Sequence, residues 1–136
     1  GNQLAMAAGT VVMNRVSKPE FLEEVVEKGK IIEERLLALK AKTKIIGDVR
    51  AKGLMIGTEF VNPKGQPDGL GSLPASGEIA AKVQKICFEN GFVAEKGGRG
   101  GSVMRCLCAL NITKDEVNTA MDIFEKVVLQ VAKDYE

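Results

Sequence analysis

The side chain best suited to chemistry in this sequence is an arginine placed among apolar residues. Arg105 lies in SVMRCLCAL, a stretch typical of a β-strand, beside the apolar Val103, Met104 and Leu107. A guanidinium in such a strand needs an anionic partner or access to water. Its planar fork fits a carboxylate through two parallel hydrogen bonds. The residues alone leave two interpretations open: a binding site for a carboxylate ligand, or an ion pair with a local Asp or Glu.

Two other stretches invite a ligand-binding interpretation, and each has a simpler one. Arg50 follows Asp48 by two residues on the same face of a predicted strand, which favours an ion pair between them. The stretch EKGGRGGS (95–102) is rich in glycine, but it lacks the spacing of nucleotide-binding loops, and a strand rather than a helix follows it. It therefore predicts a flexible hairpin loop, with Arg99 at the tip where it could reach a ligand held elsewhere.

Composition excludes several kinds of site. The 136-residue chain contains no histidine, which removes the commonest general acid–base group and the commonest metal ligand. The three cysteines Cys87, Cys106 and Cys108 form a poor zinc set, and any disulfide scheme leaves one of them unpaired. We interpret them as reduced, mostly buried side chains of a cytoplasmic protein. We therefore predict no metal site and no self-contained histidine-based catalysis.

Charge and hydropathy argue against nucleic acid and membrane partners. The formal net charge is +1, and the basic residues are interspersed with acidic ones on predicted helix faces. No apolar run approaches the roughly 18–20 residues that would span a bilayer, and no signal-peptide pattern is present. An apolar fraction of 45% fits a single globular domain.

The elements that would position Arg105 alternate between helices and strand pairs. Helical periodicity predicts a first helix over residues 2–16 and a third over 77–90. Capping-box patterns predict that a second helix begins after Ser17 and a last helix after Thr113. Apolar positions predict the inward faces of these helices, which for the second helix are Leu22, Val25, Val26, Gly29, Ile32, Leu36 and Leu39.

Alternating patterns place strands between these helices. IIGDVRAKGLMIGTEFV predicts two strands joined at residues 51–53, or one long bent strand, and residues 92–95 and 102–108 predict two more. A long loop rich in Gly and Pro separates the two pairs. The order α-α-β-β-α-β-β-α predicts an α+β fold, with a small, mostly antiparallel sheet and helices packed largely on one face.

Taken in order, several motifs resemble the C-terminal part of class III (ω-type) aminotransferases, which are pyridoxal-phosphate enzymes of fold type I. The motifs are GNQLAMAAG, IIGDVRAKGLMIGTEFV and GFVAEKGGRGGSVMRCLCALNIT, followed by an amphipathic helix. Together they cover nearly the entire chain. The GNQLAMAAG opening and the GGR before the arginine strand resemble the diaminobutyrate–2-oxoglutarate aminotransferases in particular. The resemblance implies a homodimeric enzyme that moves an amino group between an ω-amino donor, here diaminobutyrate, and 2-oxoglutarate or glutamate.

The resemblance implies a role for one residue of this chain. Arg105 matches the arginine that holds the α-carboxylate of 2-oxoglutarate and glutamate in the family, whereas Gly53 and Gly57 match glycines with backbone roles. No residue of the chain matches a catalytic or cofactor-binding position. Where the family commonly has two prolines after the arginine strand, this chain has Cys108 and Ala109, which predicts a less rigid strand end.

The resemblance also implies that residues 1–136 are one domain of a longer enzyme, with residues 1–17 forming a helix that connects to a large domain. The Schiff-base lysine of the family matches no position here. We therefore expect the chain alone to be inactive and pyridoxal phosphate to be bound mainly by residues outside it. Four side chains of the first helix are then expected to be exposed in this chain: Leu4, Met6, Val11 and Val12. The alternative that the residues allow is a non-catalytic α+β module that binds a small ligand or docks a protein.

Overall fold

The computed structural model describes residues 1–136 as four α-helices and four β-strands, with one short 3-10 turn at Arg99–Gly101. The elements follow the predicted order α-α-β-β-α-β-β-α. Their bounds are α1 Gln3–Val16, α2 Pro19–Lys40, β1 Ile46–Lys52, β2 Met55–Phe60, α3 Gly77–Glu89, β3 Glu95–Gly97, β4 Val103–Leu107 and α4 Lys114–Ala132.

The four strands form one antiparallel sheet in the order β1-β2-β4-β3. Arg50 of β1 pairs with Gly57 of β2, which pairs with Arg105 of β4, which in turn pairs with Glu95 of β3. Because side chains directly opposite one another point to the same face of a sheet, these residues form one row across the sheet. We call Arg50, Gly57, Arg105 and Glu95 the arginine row.

The opposite face of the sheet is covered by helices. There Ile56, Phe60 and Met104 are buried in a core of 20 residues, to which α2, α3 and α4 contribute. We call this the inner face and the face of the arginine row the open face. The predicted α+β fold, with helices packed largely on one side of an antiparallel sheet, is confirmed.

One of the two predicted capping boxes is present. Thr113 accepts a hydrogen bond from the N–H of Glu116, whose carboxylate accepts one from the N–H of Thr113. The box predicted at Ser17 is wrong. Ser17 ends α1 by donating its N–H to the carbonyl of Met13, and Lys18 precedes α2 with no side-chain cap. The two helices follow each other so closely that Ser17 is used to end the first.

The buried face of α2 and the start of β3 also differ from prediction. Phe21 and Lys28 are buried, whereas Leu22 and Val26 are exposed. The buried face of α2 is therefore rotated from the predicted one, so that it includes positions 21 and 28. The strand predicted to begin at Phe92 begins at Glu95. Phe92 instead packs its ring against Phe124 of α4, at 5.9 Å between centroids.

Helix α2 lies directly against the turn of the β1–β2 hairpin. A Cβ atom at Gly29 would lie 2.9 Å from the Cα of Gly53 and would overlap its carbonyl group. Gly53 has φ +55°, a conformation that suits glycine. The backbones of helix and turn are therefore in direct contact, which agrees with the backbone role expected for Gly53.

Helix α1 differs from the others because it contains no buried residue. Its first turn is capped by Asn2, whose Oδ1 accepts hydrogen bonds from the N–H groups of Leu4 and Ala5. The expected exposure of four side chains is confirmed, with exposed fractions between 57% and 82% for Leu4, Met6, Val11 and Val12. None of the helices combines the length and hydropathy needed to cross a bilayer.

Candidate functional site: a carboxylate-binding groove

The open face of the sheet forms a groove around the arginine row. The groove has a volume of about 460 Å³, and the apolar side chains of Met55, Val103 and Leu107 line it together with Arg50 and Arg105. The residue between the two arginines is Gly57, which contributes no side chain, and the side chain of Val103 lies 3.1 Å from the place of its absent Cβ. Cationic groups flanked by apolar surface suit a small anionic ligand with an aliphatic body.

Arg105 reaches this groove while it also contacts an acidic side chain. Its Nη1 atom lies 3.5 Å from Oε1 of Glu95 on β3. The two side chains are 43% and 60% exposed, so water screens the pair and its contribution is about 0–1 kcal/mol. The two interpretations left open by the sequence therefore meet at one residue: the arginine has an ion-pair partner, but a weak one.

The guanidinium of Arg105 also has a defined neighbour in the backbone of β3. A Cβ atom at Gly97 would lie 2.8 Å from Cζ and from Nη2 of Arg105, and 3.1 Å from Nε. The planar group therefore lies against the position where any other residue would carry its side chain.

Arg50 is held more tightly than Arg105. Its Nη1 donates to Oδ2 of Asp48 at 2.6 Å, and its Nη2 lies 2.9 Å from Oε2 of Glu59. The hydrogen bonds to Asp48 and then to Glu59 raise the pKa of Arg50 above its ordinary value. The predicted pair with Asp48 is confirmed. The contact with Glu59 depends on the pairing of β1 with β2, which the local sequence pattern does not specify.

The segment that follows β4 is held by a buried lysine. The Nζ atom of Lys28 donates to the carbonyl oxygens of Leu110 and Ile112, both at 2.9 Å. Lys28 belongs to α2 and is buried, and these two carbonyl oxygens accept hydrogen bonds from its ammonium group. This contact restrains the chain just beyond Cys108 and Ala109, where the sequence predicts a less rigid strand end.

The cysteines near Arg105 remain thiols. All three cysteines are unpaired. Burial raises the pKa of Cys87 to about 11. Burial, with a smaller contribution from neighbouring Cys108, raises the pKa of Cys106 to about 12. Thiols with such pKa values stay protonated near neutral pH and are poor nucleophiles. No group of three or more His, Cys, Asp or Glu side chains is placed to hold a metal ion.

The glycine-rich stretch forms the connection of the predicted hairpin between β3 and β4. Glu95–Gly97 are β3 itself, Arg99–Gly101 form the 3-10 turn, and the Oγ of Ser102 donates to the carbonyl of Arg99 at 2.9 Å. Arg99 is exposed at the tip, as predicted, but it does not line the groove. The stretch therefore acts as a compact connection that brings β3 alongside Arg105.

Comparison with known proteins identifies the family to which this geometry belongs. Residues 1–128 match the sequence profile of the family described as aminotransferase class-III. The chain belongs to the class III aminotransferases. It is 37% identical over 133 residues to a diaminobutyrate–2-oxoglutarate aminotransferase of Haemophilus influenzae, and 42% identical over 118 residues to one of Rhizobium meliloti. It covers 29% and 25% of those relatives' lengths, and they cover 98% and 87% of this chain.

Solved structures show the same fold. The N-acetylornithine aminotransferase of Stenotrophomonas maltophilia superposes with a TM-score of 0.80 at 20% identity, over 98% of this chain and 33% of that one. A phospholyase from Arthrobacter, in complex with phosphoethanolamine, superposes with a TM-score of 0.79 at 19% identity, over 90% of this chain and 28% of that one. The small antiparallel sheet with its helices is therefore a recurrent part of larger enzymes.

Class III aminotransferases depend on pyridoxal phosphate, but the groove does not fit that cofactor. Its pyridine nitrogen needs a free acidic partner and its aldehyde needs a lysine. The carboxylates of Asp48, Glu59 and Glu95 all contact arginines. The lysine that lines the groove, Lys52, is exposed at the end of β1. The groove fits a carboxylate better than it fits the cofactor.

Proposed function

We propose that this chain is the C-terminal domain of a diaminobutyrate–2-oxoglutarate aminotransferase. Such an enzyme moves an amino group between diaminobutyrate and the 2-oxoglutarate/glutamate pair. Two relatives with that name are 37% and 42% identical to the chain, which supports the choice of substrates. Because the chain covers less than a third of their lengths, the Schiff-base lysine and the main contacts to pyridoxal phosphate lie in the rest of the proposed enzyme. The chain alone is inactive in this proposal.

The observation that carries the proposal is the position of Arg105 at the groove with only a weak partner. In the proposed enzyme, Arg105 binds the α-carboxylate of 2-oxoglutarate or glutamate. A substrate carboxylate that accepts two parallel hydrogen bonds displaces the single long contact to Glu95, because bidentate charge-assisted pairs are the stronger kind. The apolar side chains of Met55 and Leu107 line the groove and offer contacts to the aliphatic part of the substrate.

Holding the carboxylate contributes to the reaction through orientation. Fixing one end of the substrate directs the reacting carbon toward the cofactor and removes much of the entropic cost of alignment. When bound, pyridoxal phosphate supplies the electron sink for the transfer. This division of roles agrees with a groove that contains arginines but no free acid or buried amino group.

The uncovered surface of α1 supports the proposal that the domain works within a larger assembly. A helix with several large apolar side chains needs a partner to cover them, and α1 buries none of its residues here. We propose that residues 1–17 connect to the large domain and lie near a homodimer interface. We also propose a cytoplasmic location, which the unpaired cysteines favour.

The role of Arg105 is tested by Arg105→Lys in the full-length enzyme. A lysine keeps the charge but cannot form the bidentate pair, so we expect the KM for 2-oxoglutarate to rise about 10- to 100-fold. The visible absorption of bound cofactor is expected to stay unchanged. Arg35→Lys is the matched control, because Arg35 pairs with Asp122 and Glu125 on the helical side of the domain. An unchanged KM in Arg105→Lys contradicts the assigned role.

The donor is tested separately by the visible spectrum of the full-length protein. A cofactor band that bleaches with diaminobutyrate and returns with 2-oxoglutarate supports the proposed pair of substrates. A band that responds only to another amine keeps the aminotransferase and rejects diaminobutyrate. If protein supplied with pyridoxal phosphate shows no band, the non-catalytic binding module becomes the better hypothesis.

A further inference from the structure

We infer that Gly97 is a positioning residue for Arg105, because the missing side chain at this position lets the guanidinium lie against β3. The inference rests on the proposed function, since the position of the guanidinium affects the reaction only if Arg105 binds the substrate carboxylate. It adds a second determinant of carboxylate binding, one that never touches the substrate itself.

The contact involves most of the guanidinium group. A Cβ atom at Gly97 would lie 2.8 Å from Cζ, 2.8 Å from Nη2 and 3.1 Å from Nε of Arg105. Carbon atoms pack at about 3.5–4.0 Å, so a methyl group at this position and the observed guanidinium cannot coexist. One of the two must move, and the end of a long side chain moves more easily than the backbone of a paired strand.

The backbone of Gly97 does not itself require glycine. Its φ angle lies outside the left-handed region, whereas the adjacent Gly98 has φ +73° and faces the side chain of Val103. The two glycines of the GGR sequence therefore differ in role. Gly98 allows the backbone conformation of the turn, and Gly97 leaves room for the side chain of Arg105.

The register of the sheet explains why Gly97 controls the direction of the arginine. Gly97 pairs with Val103, and Arg105 pairs with Glu95, so Gly97 and Arg105 are diagonal neighbours on the open face. The side chain of Arg105 thus crosses toward β3. An alanine at position 97 blocks this path, so the guanidinium has to leave the orientation that it has over β3.

The test is a double-mutant cycle in the full-length enzyme, with the KM for 2-oxoglutarate as the readout. We expect Gly97→Ala to raise this KM about 10-fold, because a displacement near 1 Å is enough to disturb a bidentate contact. In the Arg105→Ala background, Gly97→Ala is expected to have no further effect. Gly69→Ala is the matched control, because no atom lies within 4 Å of the added Cβ and its φ angle is ordinary.

Each outcome decides between the inference and its alternatives. If Arg105→Ala raises the KM and Gly97→Ala does not, the inference fails while the proposed function stands. If Arg105→Ala has no effect, the proposed carboxylate site fails and the inference fails with it. An equal effect of Gly97→Ala in both backgrounds indicates a structural role unrelated to Arg105. A loss of folding also contradicts the inference, because the three atoms nearest to the added methyl group all belong to the flexible end of Arg105.

Discussion

The two faces of the sheet are built from the same strands, yet they differ in almost every physical property. On the inner face, Ile56, Phe60 and Met104 are buried beneath three helices. On the open face, Met55 and Leu107 are 63% and 56% exposed. Side chains alternate along a strand, so a shift of a single position moves a residue from a packed core to a ligand-accessible groove.

This difference implies that stability and ligand binding can be changed separately. The inner face is held by apolar burial, which tolerates little change in volume. The open face is occupied by screened ion pairs, which contribute little to folding and can be exchanged for a ligand. Substitutions on adjacent residues of one strand should therefore report on different properties of the protein.

The largest expected difference between the faces is in the free energy of unfolding. Phe60→Ala removes a fully buried aromatic side chain that lies 6.5 Å from the ring of Phe124, and we expect a loss of about 3–5 kcal/mol. Met55→Ala on the open face of the same strand is expected to cost less than about 0.5 kcal/mol. Urea denaturation measures both, and similar losses would contradict the division between the faces.

A smaller loss of stability is expected when the contact between Lys28 and the segment after β4 is removed. Lys28→Met keeps an unbranched side chain one atom shorter but leaves two carbonyl groups without their donor, so we expect a loss of about 1–3 kcal/mol. Lys30→Met is the control, because Lys30 is exposed and makes only a 3.8 Å contact with Glu34. Thermal denaturation should show a clear fall in Tm for the first variant and almost none for the second.

Alkaline pH should lower the free energy of unfolding through Cys87, which is buried in the core. Its pKa is raised to about 11 in the folded chain, so between about pH 9 and 11 the unfolded chain loses a proton that the folded chain retains. Unfolding releases protons in this range, and stability therefore falls as the pH rises. Denaturation at pH 8 and pH 10 should show a smaller difference for Cys87→Ala than for the unchanged protein. An identical difference in both would show that this thiol does not contribute.

The smallest effect on stability is expected at the acidic end of the arginine row. Glu95→Gln removes an exposed partner of Arg105 and should change the free energy of unfolding by less than about 1 kcal/mol. In the full-length enzyme the same change frees Arg105, so the KM for 2-oxoglutarate should fall by about two- to fivefold. A raised KM would mean that Glu95 orients Arg105 instead of competing for it.

Local sequence patterns were enough to predict most of the elements. The last helix was predicted from Thr113 and Glu116, because a capping box is complete within four residues. Alternation predicted either two strands joined at residues 51–53 or one long bent strand, and the structure shows two strands joined by a hairpin turn at Gly53. The capping box predicted at Ser17 was wrong for a local reason as well, because the pattern cannot indicate which of two adjacent helices the residue caps.

The surroundings of Arg105 could not be predicted in the same way. The arginine itself was identified because its charge conflicts with an apolar strand. Glu95 and Gly97 become neighbours of Arg105 only through the pairing of β3 with β4. Lys28 reaches Leu110 across 82 residues of sequence. Such contacts depend on how the helices and strands pack, and this packing cannot be deduced from the periodicity of a single helix or strand.

The contact between Gly29 and Gly53 has a consequence for how the sequence can change over time. Hairpin turns at a protein surface commonly accept insertions, but this turn lies with its backbone against a helix. A side chain at position 29 forces the helix and the hairpin apart, and an insertion in the turn does the same. At position 53 the positive φ angle itself disfavours any residue other than glycine. Descendants of this sequence are therefore expected to vary in length within the loop at residues 62–76, and to keep two glycines where α2 crosses the hairpin.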